Sequence, residues 1–410
     1  MSIYHIIFLF LLLGVLIEYK KGDTPKWLFR FTFLLLSLFM AFRYGQGTDY
    51  YSYCSMYVTM PVTIQEILAY NFAPIEIGWR FLCAGFKLLH VSFKGFVFIL
   101  SLAEMLLLWR FVSRYCKNKM LALFLSYHTL YLTYFFSAMR QALVIAVFLG
   151  LLLEWLLEGK YLRYSLCVLV CSSMHYVSII LLVLVILHRI RLSFTQMVCL
   201  TVIGYLAGMV LSLVHVGQML HGMGLMEEAS AYLGETDISV VALMERVLSY
   251  IVVVFACYLY MDGREPDYSD QIFNLFKIYS LGIMLYGLLM WSPLISSRLV
   301  YMFKLMEIPL ICTCIAKCRR ARGLVLLYCI GICSMLYVKN IGSYLTQGRY
   351  LDFTVQDYPY VSIFNHEKIA EYRKDTGYMI DWLDFEFDQE YIDKLKIDYQ
   401  NLPPHLQVKE

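Results

Sequence analysis

Long apolar runs separated by short polar loops constrain this chain more than any other feature. Such runs occupy residues 3–17, 27–42, 94–109, 120–136, 141–157, 195–214, 244–261, 272–291, 299–315 and 323–338. A helix needs about 20 apolar residues to cross a bilayer core, with a range of roughly 17–25. Inside lipid, only a helix or a closed barrel satisfies its own backbone hydrogen bonds. Hydrophobic residues make up 60% of the chain and charged residues 16%, whereas soluble domains carry about 25% charged residues. The expected fold is therefore an all-α polytopic membrane protein with about ten transmembrane helices. The first run has no basic segment before it and no small-residue cleavage site, and Lys20 and Lys21 follow it, so it reads as a retained anchor.

Two stretches, 79–91 and 164–187, are ambiguous as spans, and the distribution of basic residues decides the second. The basic short segments are Lys20/Lys21/Lys26, Arg110/Arg114/Lys117/Lys119, Lys160/Arg163, His188/Arg189/Arg191 and Lys317/Arg319/Arg320/Arg322. Basic loops stay on the cytoplasmic side. All five segments share that side only if 164–187 begins and ends there. A short broken-helix hairpin is expected in this stretch, interrupted at Ser172-Ser173-Met174-His175. Broken helices at membrane depth occur where protein or a wet cavity satisfies the freed backbone, and transporters place ligand groups there. The expected organisation is a transmembrane helical domain, 1–338, with extracytoplasmic loops 43–93 and 215–243. An acidic extracytoplasmic tail, 339–410, follows.

This topology gathers the unusual charges on one face. Arg43-Tyr-Gly-Gln-Gly-Thr-Asp49-Tyr-Tyr-Ser-Tyr53 follows the second run directly, and Glu76 precedes Ile77-Gly78-Trp79 in the same loop. Arg140 stands between two runs, His175 at the hairpin tip, and Arg298 just before another run. Ionisable residues at such positions are costly and mark function. Guanidinium forks match phosphate oxygens, so Arg43, Arg140 and Arg298 are candidate pyrophosphate ligands. Asp49, Glu76 and His175 are candidate proton acceptors, and Tyr50, Tyr53, Trp79 and Gln141 are candidate glycan contacts. Blander roles stand beside these: Arg43 snorkelling to lipid phosphates, Asp49 capping a helix near Tyr50, Glu76 facing a helix dipole, and Arg298 anchoring at the interface. His215 and His221 read as loop residues. The 12 cysteines lack paired zinc-ligand spacing, Cys312, Cys314 and Cys318 included, and no metal or cofactor is expected.

The motifs, taken in order, resemble the EpsG family of Wzy-type polysaccharide polymerases. They are Phe42-Arg43-Tyr-Gly-Gln-Gly-Thr-Asp49-Tyr-Tyr-Ser-Tyr53, Glu76-Ile-Gly78-Trp79, Met139-Arg140-Gln141-Ala-Leu and Ser172-Ser-Met-His175-Tyr-Val-Ser178. Ser296-Ser297-Arg298-Leu-Val-Tyr301 and Asp357-Tyr-Pro359-Tyr360 are similar to downstream signatures, so the resemblance covers roughly residues 1–362. It implies a membrane glycosyltransferase fold of the GT-C, O-antigen-ligase type in the bacterial cytoplasmic membrane, with the site facing outward. The implied reaction extends a surface polysaccharide (capsule, exopolysaccharide or O-antigen) from undecaprenyl-pyrophosphate-linked repeat units, without a metal. Lipid-linked oligosaccharide, membrane lipid, a flippase and a chain-length regulator are the implied partners, and no nucleic acid. The three arginines would hold the pyrophosphate. His175 is the favoured base, because imidazole accepts a proton near neutrality, with Asp49 orienting it or binding sugar hydroxyls.

Two other activities fit parts of the pattern. A membrane O-acyltransferase would also use an intramembrane histidine, but needs a donor reached from the cytoplasm. A flippase or transporter of lipid-linked sugars would also need cations, but no internal repeat accompanies them here. The tail departs from the family pattern in length and in its crowded acids, Asp381, Asp384, Glu386, Asp388, Glu390 and Asp393.

Overall fold

The computed structural model describes residues 2–47, 49–71, 75–213, 240–262, 267–317, 321–345 and 360–365. Among these residues, all regular structure is helical except an isolated antiparallel bridge between Arg43 and Ser362. In chain order the helices are α1 (Ile3–Lys21), α2 (Lys26–Ala41), α3 (Tyr50–Thr59), α4 (Ile64–Ala69), α5 (Ile77–Leu88) and α6 (Phe93–Tyr115). Next come α7 (Lys119–Ser126), α8 (Met139–Val147), α9 (Leu153–Leu157), α10 (Tyr161–Met174), α11 (Val183–Arg189) and α12 (Phe194–Leu213). The last five are α13 (Val240–Met261), α14 (Gln271–Leu288), α15 (Pro293–Lys304), α16 (Glu307–Lys317) and α17 (Arg322–Leu345). A π-helical stretch, Tyr127–Phe135, extends α7; another, Phe148–Leu152, joins α8 to α9; and a 3₁₀ segment, Tyr176–Leu182, leads into α11.

By length and composition, six described helices suffice to cross a membrane: Ile3–Lys21, Phe93–Tyr115, Met139–Leu157, Phe194–Ser212, Ala242–Met261 and Ser296–Lys317. Tyr161–Met174, Tyr176–Arg189 and Arg322–Val338 are shorter apolar helices. The apolar runs read from the sequence are all helical, but several are cut by local geometry. The run 299–315 bends at Leu305–Met306 between α15 and α16. Pro309 explains the bend: it has no N–H to give the carbonyl of Leu305, and its ring clashes with that carbonyl in a continuous helix. In the first turn of α16, where N–H groups lack helical partners anyway, the proline is tolerated.

The basic segments converge at one end of the bundle. Arg322 donates to the Tyr19 carbonyl at 3.2 Å, Lys119 N–H to Thr24 Oγ1 at 3.0 Å, and Thr313 Oγ1 to the Tyr115 carbonyl at 3.3 Å. Arg114 reaches Glu158 at 3.3 Å. Glu18 fastens the same end: its buried carboxylate accepts the N–H groups of Met120 and Leu121 at 3.1 and 3.0 Å, at the start of α7. Those N–H groups belong to the first turn of a helix and have no carbonyl to receive them.

The stretch 164–187 folds as an antiparallel hairpin broken at His175, whose extended backbone (φ −154°, ψ 106°) interrupts the helix. Tyr164 Oη donates to the Leu181 carbonyl at 2.7 Å, and Tyr161 Oη lies 2.8 Å from His188 Nδ1. Both ends of the hairpin therefore lie together, at the basic end. With 14 residues, α10 is about 21 Å long, short of the roughly 30 Å of a bilayer core.

The segment 43–93 is a folded unit and not an open loop. Helices α3, α4 and α5 enclose Tyr44, Tyr50, Tyr53, Tyr57, Trp79, Phe93 and Phe96 in an aromatic core. Aromatic pairs add about 0.5–1.5 kcal/mol each beyond the area they bury. The Tyr57–Phe96 pair (centroids 5.0 Å apart) and the Trp79–Phe96 pair (5.7 Å, edge to face) tie this unit to α6. At 12 residues, α5 is too short to cross a membrane, which resolves the ambiguity of 79–91. The expected loop 215–243 lies almost wholly outside the described residues, as do His215, His221 and nearly all of the acidic tail.

A topology test follows from the convergence of the basic ends. In a background without native cysteines, single cysteines at Ser193 and Lys317 should react with a membrane-impermeant maleimide only after permeabilisation. Single cysteines at Tyr176 and Ser362 should react in intact cells. External labelling at position 317 would invert the assignment.

Candidate functional site

Three elements far apart in sequence meet at the end of the bundle opposite the basic segments. Glu76 is extended (φ −63°, ψ 144°) and sits directly before α5, so its carboxylate projects from the start of that helix. Arg140 lies in the first turn of α8, after the chain has left the helical stretch that ends at Phe135. His175 is the break in the hairpin. Gly78 lets α5 and α10 meet backbone to backbone. A Cβ there would stand 2.7 Å from the carbonyl oxygen of Ser173, closer than real contacts allow. That approach carries Glu76 to the hairpin tip.

The carboxylate of Glu76 then serves three groups. Oε2 pairs with Arg140 Nη1, while Oε1 accepts the Tyr176 N–H at 3.1 Å and lies 3.4 Å from His175 Nδ1. Burial raises the pKa of this carboxyl, but His175 and the Arg140 guanidinium outweigh it and hold the group at about 2. Arg140 is steadied from its other side by Tyr53: its Nε is 3.5 Å from the Tyr53 hydroxyl, and its guanidinium lies 5.9 Å from the ring centroid. His175 is only 8% exposed, and among the described residues neither ring nitrogen has a hydrogen-bond partner of ordinary geometry. Next to Arg140, Gln141 donates its side-chain amide to the Arg298 carbonyl at 3.3 Å and so joins α8 to α15. The Arg298 side chain is exposed.

The expected site residues divide into two groups. Glu76, Arg140 and His175 form the cluster, Gln141 and Arg298 adjoin it, and Tyr53 supports it. Asp49 immediately precedes α3, one turn before Tyr53. Its charge acts on the Tyr53 hydroxyl, but its side chain does not cap the helix. Arg43 departs from its expected pyrophosphate role. It is 2% exposed, donates to the Met40 carbonyl at 2.9 Å and to Ser101 Oγ at 2.7 Å, and lies over the Phe136 ring at 5.2 Å. Glu104 on α6, also buried, lies near enough to act on Arg43 electrostatically. Gly47 allows this packing with a positive φ of +106°, where a Cβ would meet the Phe136 carbonyl. Tyr50 and Trp79 also differ from expectation. With Tyr53 they are buried in the aromatic core, so these rings have no face open to a glycan.

Reading the sequence for charges in loops passes over the charges inside runs. Glu104, Glu245, Lys304 and Glu307 all lie within apolar runs and are wholly or largely buried. The usable signal was their cost: an ionisable residue inside an apolar run persists only with a partner or a function.

The fold and the site define a membrane-embedded helical protein with a charged cluster at a broken-helix tip. The EpsG family model matches residues 26–355, and the chain belongs to the EpsG family. EpsG-type proteins are Wzy-like polymerases, so membership implies a polymerase of the glycosyltransferase kind. All the candidate site residues from Arg43 to Arg298 fall within the matched region. No curated protein and no solved structure matches the chain.

The contact at Gly78 supplies a test of how the cluster is assembled. Gly78→Ala should force α5 away from Ser173 and separate Glu76 from His175. Polymer yield should drop severely while the purified protein stays monodisperse. Undiminished polymer would show that the close approach is not needed.

Proposed function

We propose that this protein polymerises lipid-pyrophosphate-linked oligosaccharide repeat units into a surface polysaccharide at the outer face of the cytoplasmic membrane. The convergence of Arg140, Glu76 and His175 at a helix break, in an EpsG-family chain, carries this reading. In the reaction, a sugar hydroxyl of one lipid-linked unit attacks the anomeric carbon of the glycan on a second. A new C–O bond forms, the C–O bond to the pyrophosphate breaks, and the hydroxyl proton must leave.

His175 is the base in this proposal. Glu76 faces its Nδ1 side; Nε2 is buried and without a hydrogen-bond partner among the described residues, so it is the nitrogen that the acceptor hydroxyl would meet once the bound substrate parts the hairpin tip. Glu76 itself, with its carboxyl held at about 2, binds protons too weakly to compete and acts as the orienting group. Arg140 spends one amino group on Glu76 and has donors left for a pyrophosphate oxygen, and the exposed Arg298 supplies a second cation. The leaving charge develops on pyrophosphate oxygens, where preformed cationic donors lower the barrier most. Asp49, at the margin of the cluster, is the candidate for sugar hydroxyls, whereas Gln141 is buried and gives its side-chain amide to the Arg298 carbonyl. Capsule, exopolysaccharide or O-antigen as product, and undecaprenyl as the lipid, belong to this proposal.

Arg140→Lys tests the fork. The lysine still neutralises Glu76 but offers phosphate a point charge, so polymer should drop at least tenfold while insertion is unchanged, since bidentate sites do not accept lysine as a conservative change. Normal polymer would mean that charge alone suffices.

His175→Ala tests the base and the reaction class together. Loss of a general base costs about 10²–10⁴-fold, so polymer should shrink to traces while single lipid-linked units accumulate on the outer leaflet. Full-length polymer lacking an acyl group would identify an acyltransferase. Units trapped on the cytoplasmic leaflet would identify a transporter. Unaltered polymer would exclude His175 from the mechanism.

A further inference from the structure

Away from the site, α13 carries two adjacent charges, Glu245 and Arg246, into the bundle. The two ends of the α15–α16 bend meet this part of α13. Lys304, the last residue of α15, places Nζ 2.5 Å from Glu245 Oε1, and Arg246 holds the other carboxylate oxygen. Glu307, the first residue of α16, accepts from Ser249 Oγ at 2.6 Å and lies 3.9 Å from Lys304 Nζ. Tyr279 of α14 donates to Ser249 Oγ at 3.0 Å. Glu245 and Lys304 are buried, and Arg246 lies over the Tyr286 ring at 5.2 Å. Two cations and two carboxylates balance, so the network draws no net charge into the bundle.

Pinning a bend is a larger effect than capping a helix. Pro309 removes one backbone hydrogen bond at the junction of α15 and α16, where Met306 N–H still donates to the Phe303 carbonyl at 3.1 Å and Ile308 N–H to the Leu305 carbonyl at 3.2 Å. To this weakened backbone α13 adds side-chain contacts on both sides of the break. From Lys304, α15 runs back two turns to Arg298, whose carbonyl receives Gln141 beside Arg140. Along the way Tyr301 packs on Tyr134 of the π-helical stretch, with ring centroids 3.9 Å apart. A contiguous set of contacts thus joins the buried ion pair to the cluster, the kind of physical route by which one position can set another.

We infer that the Glu245–Lys304 ion pair is a positioning device for the site: it fixes the depth of α15 and through it the place of Arg298, whose carbonyl receives Gln141, the residue next to Arg140. The catalytic consequence rests on the polymerase reading above; the geometric one does not. Lys304 is too enclosed to serve as a ligand itself.

Two measurements on the full-length protein in lipid nanodiscs test the inference. The first reports geometry alone: with native cysteines replaced, cysteines at Tyr134 and Tyr301 should cross-link rapidly under mild oxidation. Lys304→Met should slow cross-linking about tenfold, and Lys304→Arg should restore it. Removing one partner of a buried pair can prevent folding, whereas removing both is far better tolerated. The double variant Glu245→Gln/Lys304→Met therefore keeps the test readable, and it should also cross-link slowly. Wild-type rates in the double variant would overturn the positioning role.

The second measurement is a double-mutant cycle on polymer formation. If Lys304 acts through Arg298, Lys304→Met should cost about tenfold in the native background and less than about twofold in Arg298→Gln, because coupled positions are not additive. Equal losses in both backgrounds would overturn the route through Arg298. Slowed cross-linking in a protein that polymerises no lipid-linked glycan would sustain the geometric role and refute the polymerase reading.

Discussion

The carboxylate of Glu76 is the hinge on which the candidate site depends. It joins a short helix before α6, the first turn of α8 and the break in the hairpin, through Arg140, His175 and the Tyr176 N–H. Each of those groups would be poorly placed without it. The freed N–H at the break would lack a partner, the guanidinium would be half-buried without a counter-charge, and the imidazole would have nothing to orient it. A single anion thus satisfies the costs that a broken helix and a sequestered arginine impose. It can do so only because Gly78 has no side chain to hold α5 away from Ser173.

Around this hinge the protein places a rigid frame. The Arg43–Gly47 turn, which looks like the recognition loop, is part of that frame. Arg43 is buried against Ser101 and Phe136, and the chain beside it is closed by residues 360–363. Tyr44 N–H donates to the Val361 carbonyl and Ile363 N–H to the Phe42 carbonyl, both at 3.0 Å, while Tyr360 stacks on Phe39. Buried tyrosines and Trp79 fill the space between this turn and α6. Aromatic residues at a membrane edge are adaptable in this way: the ring suits a core and the hydroxyl suits an interface. Here the first property is used.

The charges of this chain fall into two kinds with different physics. Those at the basic end are mostly exposed, and exposed ion pairs contribute little to stability individually. Those inside the runs are enclosed and must be neutralised, which makes them specific about where helices sit. Lys304 with Glu245 is of the second kind, and it stands at the break between α15 and α16. An enclosed pair of this kind restricts where the helices that carry it can sit.

The sequence by itself determined the helical membrane class, the hairpin at 164–187 and the convergence of Glu76, Arg140 and His175 on one end. The reason is that the cost of charge in lipid and the sidedness of basic loops act on short segments, each readable without its neighbours. Family membership was also legible, because motif order survives in the chain itself. Tertiary structure alone decided that Arg43 is a buried anchor, that Tyr50, Tyr53 and Trp79 form a core, and that Lys304 is held by Glu245. A guanidinium or an aromatic ring suits a ligand and a protein interior equally well, and only the packing of distant helices decides which of the two it meets.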